Sequence, residues 1–475
     1  MVKKILKRVF FWNLISLENK NKIRNLFGMK TTRQRTTKKV VKKKSNVSHF
    51  NSLFNKFSVF KADFNHYEVG LYFAGGMGSV YQVEQWIGTL QELKQEKNFL
   101  LIIRDKGVFT WLAKNTDFTL VYCLTLADLT KFYEESNLKC ILYVNNGFKN
   151  FQSLMVESAL HVHINHGESD KSSTATHQAK AYDYVLIVSD AGYNKYQSNL
   201  INIDMSSFIK VGRPQLDHIK TIAPFDKDQP APIVESINLE DNVVEESEKT
   251  NIIENSTPVE ENIDRKVILY APTWEATHDS MNFTSLNEYG LELVSKILDN
   301  PNYYLVYKPH PNTGSRDTVT KNINNKIKKL LKDNHKGEVV STGDINSLYA
   351  HVDLAIFDNS AVAIDYLQVD KPMLMTDMFH KMDKREGKPT IVNAVRLLSL
   401  KNLSKVEEII QDEIENDTLR DIRNKVKIYF LGNYNYEKKE STQKFIETIL
   451  EICDERDKLY NLLVEHNMNK QDFIN

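Results

Sequence analysis

The sequence has no CxxC pair, no Walker lysine, no GxGxxG turn and no apolar run approaching the ~18–20 residues that span a bilayer. The missing run argues against a membrane-spanning helix. The missing glycine fingerprint and lysine argue against the common dinucleotide and P-loop nucleotide sites. Only three cysteines are present, Cys123, Cys140 and Cys453, and the first two lie in strand-like apolar runs. They read as buried, reduced thiols of a cytosolic protein. No metal-ligand cluster is visible, so the chemistry is expected to need neither metal nor cofactor, with fixed cations in the place of Mg²⁺. There is no internal repeat. Between Asp226 and Asp264 there is no aromatic residue, and twelve acids stand against two lysines. Such a stretch buries too little apolar surface to fold alone and reads as an acidic, disordered insertion or linker, 226–264.

The 475 residues suit two domains plus extras. Formal net charge is zero, but the zero conceals a polarity. Residues 1–50 carry 15 Lys or Arg against the single acid Glu18, leaving 47 bases against 61 acids in the remainder. A basic arm on an acidic body is expected to meet something anionic, either lipid or nucleic acid. The first residues resemble a signal peptide in charge. However, Asn13 interrupts the apolar stretch and no small-residue cleavage site follows. Phe10, Phe11, Trp12, Leu14 and Ile15 beside Lys3, Lys4, Lys7 and Arg8 read as an amphipathic segment for an anionic membrane surface. The expected location is cytoplasmic, peripheral on the inner face of the membrane. Nucleic acid is not expected, because basic charge without a recognition fold is a weak signal.

Short apolar runs alternate with helical patterns along the body, the signature of parallel βαβ units. In the first series, Leu71–Gly75, Phe99–Arg104, Phe118–Leu124, Cys140–Val144, Leu160–Ile164, Tyr184–Val188 and Phe208–Val211 read as strands, and Ser79–Leu93 as a helix. A second series has strands at Val267–Ala271, Tyr303–Tyr307, Glu338–Ser341, Leu354–Phe357 and Met373–Met375, followed by a helical tail. The expected organisation is an arm at 1–64, a Rossmann-like acceptor domain at 65–220, and a Rossmann-like donor-nucleotide domain at 265–440. A carboxyl-terminal helix would span 441–475. Two doubly wound α/β domains in tandem imply a cleft, with ligands beyond the carboxyl ends of the strands.

Polar residues just after strands therefore carry the candidate chemistry. His166, in Asn165-His166-Gly167-Glu168-Ser169-Asp170-Lys171, follows a strand. Its imidazole suits proton transfer near neutral pH, with Glu168 or Asp170 to orient it and Gly167 to admit a ligand. A polar loop residue is the alternative. In Tyr307-Lys308-Pro309-His310-Pro311, two prolines stiffen the turn around His310, and Lys308 adds a cation suited to a phosphate oxygen. A structural proline turn would look the same. At Asp358-Asn359-Ser360-Ala361 a strand breaks into a helix, so Asn359 or Ser360 can cap an anion-binding helix start. Asp365, further on, is either a ribose ligand or a satisfied core acid. Thr273 and Trp274 end another strand, as phosphate donor and cleft wall or as core plug. Gly75 and Gly76 lie between the first strand and first helix and are expected to shape the acceptor side or let the two domains approach.

In order and spacing, these segments and the Gly212-Arg213-Pro214-Gln215-Leu216-Asp217 crossover resemble the CDP-glycerol glycerophosphotransferase family, makers of teichoic-acid-type polymers. The resemblance covers about residues 70–450 without the acidic stretch and implies a GT-B-like fold. It implies transfer of glycerol phosphate, or a related polyol phosphate, from CDP-glycerol or CDP-ribitol to a lipid-linked or polymer acceptor in teichoic-acid-like or capsular polymer synthesis, releasing CMP. It also implies that His166 is the general base and that His310, Thr273, Ser360, Asp365 and a late basic residue, Lys444, serve the donor. Three departures stand out: Ala361 for a second serine, Glu275 where many members have arginine, and Lys444 for an arginine. A GT-B glycosyltransferase using a nucleotide sugar and a non-catalytic membrane-associated assembly factor are the alternatives.

Overall fold

The computed structural model describes residues 63–171, 175–225, 227, 264–276, 282–379 and 390–472. The expectations for the basic arm and for the acidic stretch fall almost wholly outside these residues. Among the described residues no helix is long and apolar enough to cross a membrane.

The first sheet contains β1 (Val69–Phe73), β2 (Phe99–Ile103), β3 (Thr119–Tyr122), β4 (Cys140–Tyr143), β5 (Leu160–His163), β6 (Tyr184–Ile187) and β7 (Phe208–Lys210). Their order is β3-β2-β1-β4-β5-β6-β7, and every pairing is parallel. The second sheet contains β8 (Lys266–Ala271), β9 (Tyr303–Tyr307), β10 (Gly337–Val339), β11 (Leu354–Phe357), β12 (Met373–Thr376) and β13 (Arg396–Leu398). Its order is β10-β9-β8-β11-β12-β13, again all parallel. Both sheets thus follow the doubly wound order, in which the direction of winding reverses beside the first strand. The two-domain α/β, GT-B-like architecture expected from the sequence is present. Helices cover both faces, so strands such as Phe99–Ile103 are buried throughout and read as unbroken apolar runs.

Two local expectations change. The stretch Ser79–Leu93 is not one helix: a helical turn at Tyr81–Glu84 gives way at Trp86 to α1 (Ile87–Glu96). Buried Trp86 donates Nε1–H to the Asn165 carbonyl at 2.7 Å, which anchors the break. Strand β13 was not expected, because three residues with a half-exposed start carry little pattern.

The helices with clear starts are capped by their own sequence. Asp105 accepts from the Val108 N–H to open α2 (Lys106–Asn115). Thr125 and Asp128 form a reciprocal capping box for α3 (Leu126–Glu134). Helix α4 (Asp190–Asn199) follows β6. Helices α5 (Leu291–Asp299), α6 (Thr318–Asn334), α7 (Ala361–Tyr366), α8 (Val406–Asn416) and α9 (Arg420–Leu431) belong to the second half.

The last helix, α10 (Glu440–Asp472), returns to the first sheet. Phe445, Ile449, Ile452 and Cys453 join the core formed by Leu71, Trp86 and Leu101. The Phe445 and Trp86 rings lie 5.2 Å apart. A fully buried phenylalanine contributes about 2–3 kcal/mol, so this turn alone ties the end of the chain to the first domain. The thiols of Cys123, Cys140 and Cys453 are free and buried.

Candidate active site

The carboxyl ends of β4, β5, β8, β9 and β11, with Tyr81 on the helical turn beyond β1, converge on a cavity of about 1080 Å³ lined from both domains. His166 is placed by the turn after β5. Asn165 adopts a left-handed conformation (φ 55°), which asparagine tolerates better than most residues. Its side chain accepts the His166 N–H at 2.8 Å. The His166 ring is fixed by Nδ1, 3.0 Å from the Val144 carbonyl oxygen. A carbonyl only accepts, so Nδ1 carries the hydrogen and Nε2 keeps its lone pair. The orienting group is therefore a backbone carbonyl after β4 and neither Glu168 nor Asp170. Glu168 turns inward and accepts from the Val188 N–H at 3.0 Å. Asp170 reaches the second domain, accepting from the Ile391 N–H at 3.0 Å, and burial pushes its carboxyl up to about 6.

His310 shows the opposite tautomer. Its Nδ1 accepts the Asn312 N–H at 3.1 Å, so in the neutral ring the hydrogen sits on Nε2. Trp274 stacks on the His310 ring, centroids 5.8 Å apart and planes at 14°. Tyr81 stands edge-on to both histidines, 6.0 Å from His166 and 5.7 Å from His310. Burial holds His166 down to about 4, helped by the Arg213 cation, and His310 down to about 3, helped by His166, Lys171 and Lys308. Both shifts favour the neutral ring at physiological pH.

Two buried acids hold the donor-side loops. Asp358 accepts from the N–H groups of Thr273 at 2.7 Å and Ser285 at 3.2 Å, and from the Thr376 hydroxyl at 2.5 Å. Burial raises its carboxyl above the usual range. Glu275 accepts from the N–H groups of Gly314, Arg316 and Asp317 at 3.0, 2.8 and 3.3 Å. It is thus the organiser of the turn after His310. Gly314 itself has φ 77°, with the Lys321 backbone 2.7 Å from where a Cβ would stand.

Lys308 donates to the carbonyls of Thr342 and Gly343 at 2.8 and 2.9 Å. Burial brings its ammonium down to about 8 against the pull of Asp344 and Glu84. Ser360 precedes α7 without capping it by its side chain; its hydroxyl donates to the Asp358 carbonyl at 3.3 Å. Asn359 is buried behind the wall, and its Nδ2 has no hydrogen-bond partner among the described residues. Thr273, Trp274, Lys308, Ser360, Asp365 and Gly167 line the cavity with the two histidines.

Several expected residues stand elsewhere. Lys444 does not line the cavity; Lys439, just before α10, does, and it pairs with Glu92. Gly75 and Gly76 also lie off the wall, but their turn approaches the second domain: a Cβ on Gly78 would stand 3.5 Å from Asn312 Oδ1. A Cβ on Gly167 would stand 3.0 Å from that of Ala361, so this glycine admits the start of α7 itself.

Three contributors escaped the sequence reading. Arg213, in the crossover, donates from Nε and Nη2 to both Asp365 oxygens at 3.0 Å each, and from Nη2 to the His166 carbonyl at 3.0 Å. Asp365 is thus the partner of a buried cation. Tyr81 and Gln82 sit on the helical turn after the glycine-rich segment. Arg213 had a signal, its place in a quoted motif; Tyr81 and Gln82 had none.

Among solved structures, the chain is similar to a UDP-N-acetylglucosamine 2-epimerase from Listeria monocytogenes, at 12% identity and TM-score 0.49, over 79% of this chain and 94% of that one. It is similar to the wall teichoic acid polymerase TagF, at 12% identity and TM-score 0.48, over 86% and 97%. It is also similar to S. aureus MnaA in a co-structure with UDP, at 13% identity and TM-score 0.48, over 81% and 97%. No curated protein matches the sequence. The family CDP-Glycerol:Poly(glycerophosphate) glycerophosphotransferase matches residues 239–451. That stretch carries β8 to β13 with Thr273, Trp274, Lys308, His310, Ser360 and Asp365. The match to that family thus covers the second domain and the start of α10, and the first domain lies outside it.

Proposed function

We propose that the protein transfers glycerol phosphate, or a related polyol phosphate, from a CDP-linked donor to an acceptor hydroxyl. The observation that carries this reading is the pair of neutral imidazoles with opposite tautomers on either side of Tyr81. One ring holds a lone pair at Nε2 and suits a general base. The other holds a hydrogen at Nε2 and suits a phosphate oxygen.

In the proposed step the acceptor oxygen attacks the phosphorus that bears the polyol. Its proton passes to His166 Nε2. The bond from that phosphorus to the bridging oxygen breaks, and CMP leaves with the electron pair. His310 and Lys308 stabilise the charge on the phosphates, and Thr273 and Ser360 help to hold them. Holding donor and acceptor in line supplies much of the acceleration.

The place of work we propose is the inner face of a membrane, with a lipid-linked or polymer acceptor in teichoic-acid-like or capsular polymer synthesis. Exposed Leu124, Phe148 and Met155, after β3 and β4, support contact with an apolar phase. The basic residues of 1–50 would add attraction to anionic lipid.

Incubation with CDP-glycerol, CDP-ribitol and UDP-sugars, followed by nucleotide analysis, tests the reaction. Release of CMP supports the proposal. UDP would indicate a glycosyltransferase, and neither nucleotide a non-catalytic role. His166→Ala is expected to abolish CMP release while donor affinity stays within about twofold of wild type. Deletion of residues 1–50 is expected to release the protein from anionic liposomes, and unchanged flotation would refute the anchor.

A further inference from the structure

We propose that Gln82 is a positioning residue that turns an amide N–H towards His166 Nε2 and so supports the neutral ring whose tautomer the Val144 carbonyl sets. The inference rests on the reading of His166 as a base, but it concerns a chain of contacts that stands on its own geometry.

The chain begins on a backbone N–H and ends on a backbone carbonyl, whose donor and acceptor roles are fixed. At one end the Gly147 N–H donates to Asn145 Oδ1 at 2.9 Å. A backbone N–H needs an acceptor, so the Asn145 amide is oriented with its oxygen there and its NH₂ outward. That NH₂ donates to Gln82 Oε1 at 2.7 Å. The Gln82 amide is thereby oriented as well, and its NH₂ is left facing His166 Nε2 at 3.5 Å and the Tyr81 hydroxyl at 3.4 Å. At the other end, His166 Nδ1 must donate to the Val144 carbonyl. Every link then has one polarity: donors run from Gly147 through Asn145 and Gln82 to a lone pair at Nε2.

Reversing any one amide sets donor against donor. If Gln82 turned over, its NH₂ would face the Asn145 NH₂ and its oxygen would face the His166 lone pair. The 3.5 Å contact is long for a hydrogen bond. Gln82 therefore marks the lone pair without occupying it tightly, and an acceptor hydroxyl donating to Nε2 displaces only a weak contact.

Apart from Val144 and Gln82, the groups around the ring make no hydrogen bond to its nitrogens among the described residues. Arg213 contacts the His166 carbonyl, His163 lies behind on β5, and His310 and Tyr81 face it from the cavity side. Among the described residues, the neighbour that meets Nε2 is the Gln82 amide, at 3.5 Å.

The test uses a residue that does not touch His166. Asn145→Asp keeps the acceptor for Gly147 but replaces the NH₂ by a second acceptor oxygen. Gln82 must then turn its NH₂ towards Asp and present Oε1 to Nε2. That oxygen favours a hydrogen on Nε2 while Val144 still holds one on Nδ1, so His166 becomes an imidazolium. Gln82→Glu is expected to do the same directly, and Gln82→Leu removes the contact.

Nitrogen-15 NMR of histidine-labelled full-length protein reads both ring nitrogens, with His166 assigned by its loss in His166→Gln. Wild type is expected to show Nδ1 protonated and Nε2 bare at neutral pH. Asn145→Asp and Gln82→Glu are expected to show both nitrogens protonated. In turnover with CDP-glycerol, both variants are expected to lose at least tenfold in kcat at pH 7 with donor KM within twofold, recovered in part at higher pH. Gln82→Leu should retain the wild-type tautomer with a smaller loss.

Unchanged nitrogen shifts in both Asn145→Asp and Gln82→Glu overturn the proposal, as does a wild-type ring protonated at Nε2. If either variant fails to fold, the other carries the test. If wild type releases no CMP from any donor, the transferase reading fails while the spectra still decide the role of Gln82.

Discussion

Arg213 and Asp365, 152 residues apart in sequence, form a two-pronged ion pair that is about 95% buried and joins the first domain's crossover to α7 of the second. The same guanidinium holds the His166 carbonyl. The position of the candidate base is thus coupled to the closeness of the two domains.

Removing one partner should leave an uncompensated buried charge. Asp365→Asn is expected to destabilise the protein by about 3–5 kcal/mol, read by chemical denaturation. The Arg213→Leu, Asp365→Leu double variant should lose less than the sum of the single changes. An additive cycle would show that the pair is not coupled.

The rate should depend on pH in an unusual window. A base must be unprotonated and a phosphate-binding ammonium protonated. With His166 near 4 and Lys308 near 8 in the free enzyme, kcat/KM for CMP release should be flat from about pH 5 to 7. It should fall below the first value as His166 takes a proton and above the second as Lys308 loses one. An acidic limb near the ordinary histidine value of about 6.5 would contradict the burial argument.

Glu275 stands where the family resemblance implies an arginine, yet it accepts three backbone N–H groups. Glu275→Arg is therefore expected to loosen the His310 turn and not to restore a donor contact. The expected cost is roughly 3 kcal/mol or more, since hydrogen bonds to a charged group contribute about 1.5–3 kcal/mol each. A variant with wild-type melting and a lower donor KM would overturn this assignment.

Gly167 meets the start of α7 closely: a Cβ there would stand 3.0 Å from that of Ala361. Gly167→Val is expected to push the His166 turn away from Ala361, at a cost of about 1–3 kcal/mol from overpacking. Activity should fall at least tenfold with helix content unchanged by circular dichroism. Gly167→Ala should sit between the two.

The strands were legible because a parallel strand covered on both faces must be apolar along its whole length. Tyr303–Tyr307 and Leu354–Phe357 were read to the residue. The strand-end histidines were legible for the same reason, since polar residues mark where each buried run stops. Local pattern, however, contains no information about which turn faces which across a cleft. The amino-acid order alone therefore determined two doubly wound sheets and the positions of His166 and His310 at their edges. Tertiary structure alone decided that Arg213 meets Asp365, that Glu275 gathers backbone donors, and that α10 packs back on the first sheet. It also set the opposite tautomers of the two rings, because a tautomer is fixed by the carbonyl or N–H that a neighbouring segment brings within about 3 Å.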